Sequence, residues 1–292
     1  MKLVDGFYDF KQAAELAPAI GKYPAWQAYY NKYKAAFDPL FSSLYKLDEE
    51  SIQTTVGQLN FQDLLLQSEK GQIQFPLKKI EAILKKCCTY FDFHEDFTVY
   101  LLTGIGYSDG AALPSSDPFI YLGLELLEEK DPEILIPHEF SHMARFYRLK
   151  GKENFNALTA GQLAAAEGLA VWASVELSGR GPDDASIAEA LMMSPYHYRT
   201  LQLSLAELEE VILNDLDRPL DRRMLEKYFI GTEAEGRSGY FAGAQIINSL
   251  MSGGMSLKDL NFMETDKIMK AFYSYKKSHC FKGMMAETEN NM

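Results

Sequence analysis

Apolar residues recur at helical spacing along most of this chain and gather into strand-like runs in one short stretch. Pro24 opens a run in which Trp26, Tyr29, Tyr30, Tyr33 and Phe37 keep the rhythm of a helix until Pro39 interrupts it. Such rings could stack on sugars, but their spacing is that of core packing. Asp48–Gln67 and Pro76–Tyr90 predict two further helices, the second starting at a proline and carrying Leu77, Ile80, Ile83 and Leu84 on one side. At Phe97 the texture changes: Phe97–Leu102 and Phe119–Leu122 have strand composition, with a glycine-rich connection, Gly104–Gly110, between them. Those glycines lack the Lys-Ser/Thr of a phosphate loop and the strand-to-helix setting of a dinucleotide fingerprint, so they predict turns.

Helical rhythm returns at Asp131-Pro132, an N-cap followed by proline at the first helical position, and runs to about Leu149 before Lys150-Gly151 stops it. Pro137 interrupts that run, so either the helix is kinked there or it begins there. Thr159-Ala160-Gly161-Gln162 reads as a capping box for an Ala-rich helix through Leu177. Beyond Gly179-Arg180-Gly181-Pro182, Ser204-Leu205-Ala206-Glu207 predicts another capping box, Ser238 a helix cap leading through Leu250, and two last helical pieces lie near Leu257 and over Asp266–Lys277. The fold class is therefore α+β, predominantly helical with a small sheet. The change of texture divides it into a helical N-terminal subdomain, residues 1–90, and a second domain, 91–292, with the strands and two notable helices in 91–178 and a helical part in 179–292.

Composition narrows the possibilities. The chain has 292 residues, 47% of them hydrophobic, enough to bury a sizeable core, and no internal repeat. A net charge of −12 argues against nucleic-acid partners and anionic membrane surfaces, and no apolar run reaches membrane-spanning length. The start, Met1–Gly6, lacks the features of a signal peptide, and three cysteines, two of them adjacent as Cys87-Cys88, make no disulfide framework. Both predict a cytoplasmic location, unless a signal peptide has been removed.

The candidate chemistry lies in Pro137-His138-Glu139-Phe140-Ser141-His142. On a helix, His138 and His142 stand one turn apart on the same face, so both imidazoles can reach one metal ion while Glu139, about 100° around, addresses a bound water. His138, His142 and Arg145 share a stripe with Ile134, Leu135 and Leu149, and Phe140, Met143, Ala144 and Tyr147 cover most of the other side, so the helix should be buried nearly all round. Two core histidines satisfied by carbonyls would be the alternative. A zinc site needs a third protein ligand and an open position. No histidine follows before Lys150, which excludes the longer H-E-x-x-H-x-x-G-x-x-H arrangement. Glu167 does follow, on a face otherwise made of Ala160, Leu163, Ala164, Ala170, Val171 and Ser174. A carboxylate in an apolar stripe must be neutralised, either by a metal held by His138 and His142 or by a base such as Arg145.

Together His138–Arg145, Glu167-Gly168-Leu169-Ala170 and Gly239-Tyr240-Phe241-Ala242-Gly243 resemble the predicted zinc-dependent proteases of the DUF2268 (YjaZ-like) family, within the gluzincin group. The resemblance covers roughly residues 97–250 and leaves the first ninety residues unmatched. It implies a zincin-like core, in which the small sheet and the H-E-x-x-H helix are flanked by N- and C-terminal helices. It implies zinc held by His138, His142 and Glu167, Glu139 as general base, and hydrolysis of a peptide or protein substrate. It also implies that Gly110-Ala111-Ala112, at a sheet edge, could pair with an extended substrate. Two departures stand out: the interval from His142 to Glu167 is longer than in thermolysin-like enzymes, and Val171 occupies the place of an acidic residue that would orient a histidine. For the donor that stabilises the developing oxyanion, Tyr240, opening a helix after glycine in the family-like Gly-Tyr position, is the first candidate and His197 the second. The alternative to an enzyme is an inactive peptidase-like module that binds peptides or a protein partner. A purely structural zinc is disfavoured by the three ligands, because structural sites usually have four.

Overall fold

Strand β1 (Lys2–Asp5), in a stretch with no strand signature, pairs in parallel with β2 (Thr98–Leu102), Leu3 opposite Val99. The structure is a computed structural model and describes residues 1–205, 212–230 and 237–289. Among the described residues it is an α+β fold, mostly helical, with one four-stranded sheet in the order β1, β2, β4 (Phe119–Gly123), β3 (Gly110–Ala112). β4 runs parallel to β2, and β3 pairs antiparallel with β4 at the edge, Ala111 opposite Tyr121. Every residue of β4 is buried, as expected of an interior strand covered on both faces.

The chain divides into two compact units, Met1–Tyr147 and Arg148–Met292. In the first, six helices separate β1 from β2: α1 (Phe7–Ile20), α2 (Lys22–Lys32), α3 (Lys34–Pro39), α4 (Glu49–Gln58), α5 (Phe61–Gln74) and α6 (Leu77–Phe91). The aromatic stripe is core: Trp26, Tyr29 and Phe37 are buried and pack ring on ring, Trp26 against Tyr29 at 5.4 Å and Phe37 at 5.5 Å. Pro39 does not end the helical path, which passes into a π-helical turn over Leu40–Leu44. The single helix expected over Asp48–Gln67 is two. Leu59 is extended, and the Asn60 side chain accepts from the Gln62 amide at 3.1 Å, starting α5 afresh.

Helix α7 (Pro132–Arg148) begins where its sequence signals place it, with the Asp131 carboxylate accepting from the Glu133 amide at 2.8 Å. It continues through Pro137, so the metal-motif helix does not start at that proline. Phe140 anchors it by ring contacts to Phe91 at 5.9 Å, Phe93 at 5.7 Å and Phe97 at 5.7 Å. This aromatic cluster takes the side of α7 away from the histidines.

In the second unit, α8 (Ala160–Ser178) starts with the expected capping box: Gln162 donates its amide to Thr159 Oγ1 at 3.1 Å and accepts from the Thr159 amide at 2.9 Å. It packs on the helix Ser238–Ser252 at backbone contact. A β-carbon on Gly168 would lie 2.3 Å from the Gly243 carbonyl, and one on Gly243 would lie 1.9 Å from the Ala164 oxygen. Trp172 Nε1 donates to the Ala244 carbonyl at 2.8 Å, fixing the register. Ser238 is the first helical residue rather than the cap; Arg237, in the left-handed region, precedes it. The capping box expected at Ser204–Glu207 extends outside the described residues. Among the described residues no helix is long and apolar enough to cross a membrane.

Candidate metal centre

Successive turns of α7 place the rings of His138 and His142 with their Nε2 atoms 3.2 Å apart and their planes 78° to each other. Both are buried, at 6% and 7% exposure. Zn–N bonds of about 2.05 Å meeting at a tetrahedral angle would separate two nitrogens by about 3.3 Å, so this spacing fits two imidazoles converging on one ion. The His142 ring also lies parallel to Phe146, 5.9 Å away, one turn further along α7.

Glu167 joins them. Ligand atoms of His138, His142 and Glu167 all lie within 4.8 Å of one another, and all three residues are buried. Among the described residues this is the one group of three or more His, Cys, Asp or Glu side chains so arranged. A buried His-His-Glu group of this composition can bind a metal ion. Its donor set of two imidazoles and one carboxylate is the set zinc uses in catalytic sites with a fourth position left open.

Glu139 is buried between the two histidines in sequence, and its side chain reaches the edge strand. A β-carbon added to Gly110 would stand 2.9 Å from both Glu139 Cγ and Oε1. The glycine at the start of β3 thus makes room for the carboxylate. Tyr240 is half-buried on the helix Ser238–Ser252, its ring 5.7 Å from Phe229 and 5.1 Å from the Arg237 guanidinium. His197 lies in the helix Pro195–Leu203, whose first turn is capped by Ser194 accepting the His197 amide at 3.1 Å. His197 is not one of the clustered ligands. The Gly-Tyr-Phe-Ala-Gly sequence containing Tyr240 has a packing role of its own, because Gly243 lies in backbone contact with α8.

Besides Glu139 and Glu167, a third buried glutamate lies outside the motifs named above. Glu125, 4% exposed, lies in the 3-10 turn Leu124–Leu126 and accepts the amides of Gly104 at 2.8 Å and Gly106 at 2.9 Å. Burial pushes its carboxyl above the ordinary glutamate range, and those two amide donors oppose the shift. Tyr121 is also pushed up, by burial and then by the charge of Glu125. The signal was present: Leu122-Gly123-Leu124-Glu125-Leu126-Leu127 places a carboxylate in an apolar run, as at Glu167.

No protein-family model, curated protein or solved structure matches the chain.

Proposed function

We propose that this protein is a zinc-dependent peptidase of gluzincin type, acting on a peptide or protein substrate. The observation that carries the reading is the convergence of His138 and His142 at 3.2 Å within a buried group that includes Glu167. The likeness of the His138–Arg145 and Glu167–Ala170 motifs to DUF2268 proteins supports it, as does an antiparallel edge strand beside Glu139, an arrangement in keeping with a zincin-like core.

In this account His138, His142 and Glu167 hold the ion. Bound zinc would supply Lewis acidity and bring the pKa of a coordinated water toward neutrality. Glu139 accepts the proton of the attacking water and delivers it to the leaving nitrogen, serving as base and then as acid. Its buried position limits competing solvent, and its contact with Gly110 limits the rotamers from which it works. Tyr240 is assigned as donor to the developing oxyanion, with His197 as the alternative; such a donor is worth about 3 kcal/mol of transition-state stabilisation.

The test is a broad peptide library incubated with zinc-loaded wild type and Glu139→Gln. The proposal expects cleavage by wild type and a loss of at least about a thousandfold in the variant, with zinc content unchanged. Zinc binding without Glu139-dependent cleavage would favour a peptide- or partner-binding module instead.

A further inference from the structure

The proposed reaction leaves Glu125 without a task, although a buried carboxylate is costly to keep. Its contacts show what it holds. Glu125 Oε2 accepts the Gly104 amide at 2.8 Å and Oε1 the Gly106 amide at 2.9 Å, so both oxygens are committed to one glycine-rich loop. The preceding residue is tied as well: Thr103 donates its amide to Tyr29 Oη at 2.9 Å and shares a hydroxyl hydrogen bond with Ser68 at 2.8 Å. There is no space for a side chain at 104, where a β-carbon would meet Tyr121 Oη at 2.2 Å and Glu125 Oε1 at 2.8 Å.

From this anchored base the chain is directed to Glu139. Gly106 turns through φ +79°, Asp109 accepts the Gly123 amide at 2.9 Å through its carbonyl, and its carboxylate pairs with Lys130 at 2.6 Å. Ser108 Oγ donates to the Gly110 carbonyl at 2.5 Å, and Gly110 then lies against the Glu139 carboxylate. Glycine at 104, 106 and 110 gives this loop more backbone freedom than other residues would, so its path needs an anchor. The two hydrogen bonds to the buried Glu125 carboxyl group provide one.

We infer that Glu125 is a positioning residue: by clamping the Gly104 and Gly106 amides it fixes the backbone at Gly110 and, through that contact, the Glu139 carboxylate. The positional claim stands on the loop geometry alone; its catalytic consequence rests on the peptidase reading above. An amide at 125 has one acceptor and turns an N–H donor toward a backbone N–H, so Glu125→Gln should release one of the two loop amides.

The experiment compares zinc-loaded wild type, Glu125→Gln and Gly106→Ala by amide hydrogen exchange over residues 103–110, by crystal structure, and by kcat and KM. Gly106→Ala strains the loop from its exposed side, leaves Glu125 intact, and covers the case in which Glu125→Gln does not fold. The expected result is at least tenfold faster exchange at residues 104–106, a Glu139 carboxylate displaced from Gly110, unchanged zinc stoichiometry, and kcat lowered at least tenfold with KM within twofold. Unchanged exchange, or faster exchange with Glu139 still seated against Gly110, would overturn the inference. If wild type cleaves no peptide, the peptidase reading fails separately, and exchange and the position of Glu139 still decide the role of Glu125.

Discussion

Gly110 and Glu139 are in contact so close that no β-carbon fits between them: it would stand 2.9 Å from Glu139 Cγ and Oε1. The edge strand of the sheet and the H-E-x-x-H helix are thereby joined at the carboxylate assigned as general base. Alanine at 110 must push that carboxylate aside. Because misplacing a reacting group by about 1 Å can cost on the order of a hundredfold in rate, Gly110→Ala should lower kcat about ten- to hundredfold while zinc content stays at the wild-type level. Steady-state kinetics on a cleaved peptide, with metal analysis of the same preparation, checks this.

The contact between α8 and the helix Ser238–Ser252 sets a second expectation. A methyl group on Gly243 would enter the Ala164 carbonyl at 1.9 Å, where the obstacle is backbone and not a movable side chain. Gly243→Ala should destabilise the fold by about 1–3 kcal/mol or more, since the helices must separate. Chemical denaturation reads the loss as a lower midpoint.

Glu125 gives a pH dependence with a definite sign. Its folded-state pKa is raised, chiefly by burial, above the ordinary glutamate value of 4.5. The folded state therefore binds this proton more tightly than the unfolded state. The associated stability is complete below about pH 4.5 and is lost as pH rises through the folded pKa. Subtracting the stability curve of Glu125→Gln from that of wild type should give a difference that falls as pH increases over that window. A flat difference curve would contradict the assignment.

Where local chemistry decided the structure, the sequence was easy to read. Asp131-Pro132 and the Thr159/Gln162 box start their helices as expected, and ligand atoms of His138, His142 and Glu167 lie within 4.8 Å of one another. Long-range pairing was harder to see. Lys2–Asp5 is short and partly polar, and becomes a strand because β2, more than ninety residues later, offers its edge. The break between α4 and α5 hangs on one Asn60 side chain that competes with a helical backbone. Glu125 is not legible from its own neighbours, because a carboxylate near a turn is usually solvated; the Gly104 and Gly106 amides that justify its burial lie about twenty residues away in sequence. Gly239–Gly243 belongs to the family-like stretch that offers Tyr240 as a donor, while its Gly243 lies against the backbone of α8.

His138, His142 and Glu167 are proposed to hold one metal ion, and the metal content of the protein is the decisive test. Wild type purified, reconstituted with zinc and freed of excess ion should hold one zinc per chain, while His138→Ala and Glu167→Ala, each confirmed folded by circular dichroism, should hold less than about a tenth of that. Wild type without bound zinc after reconstitution, or full occupancy in both variants, would contradict the account.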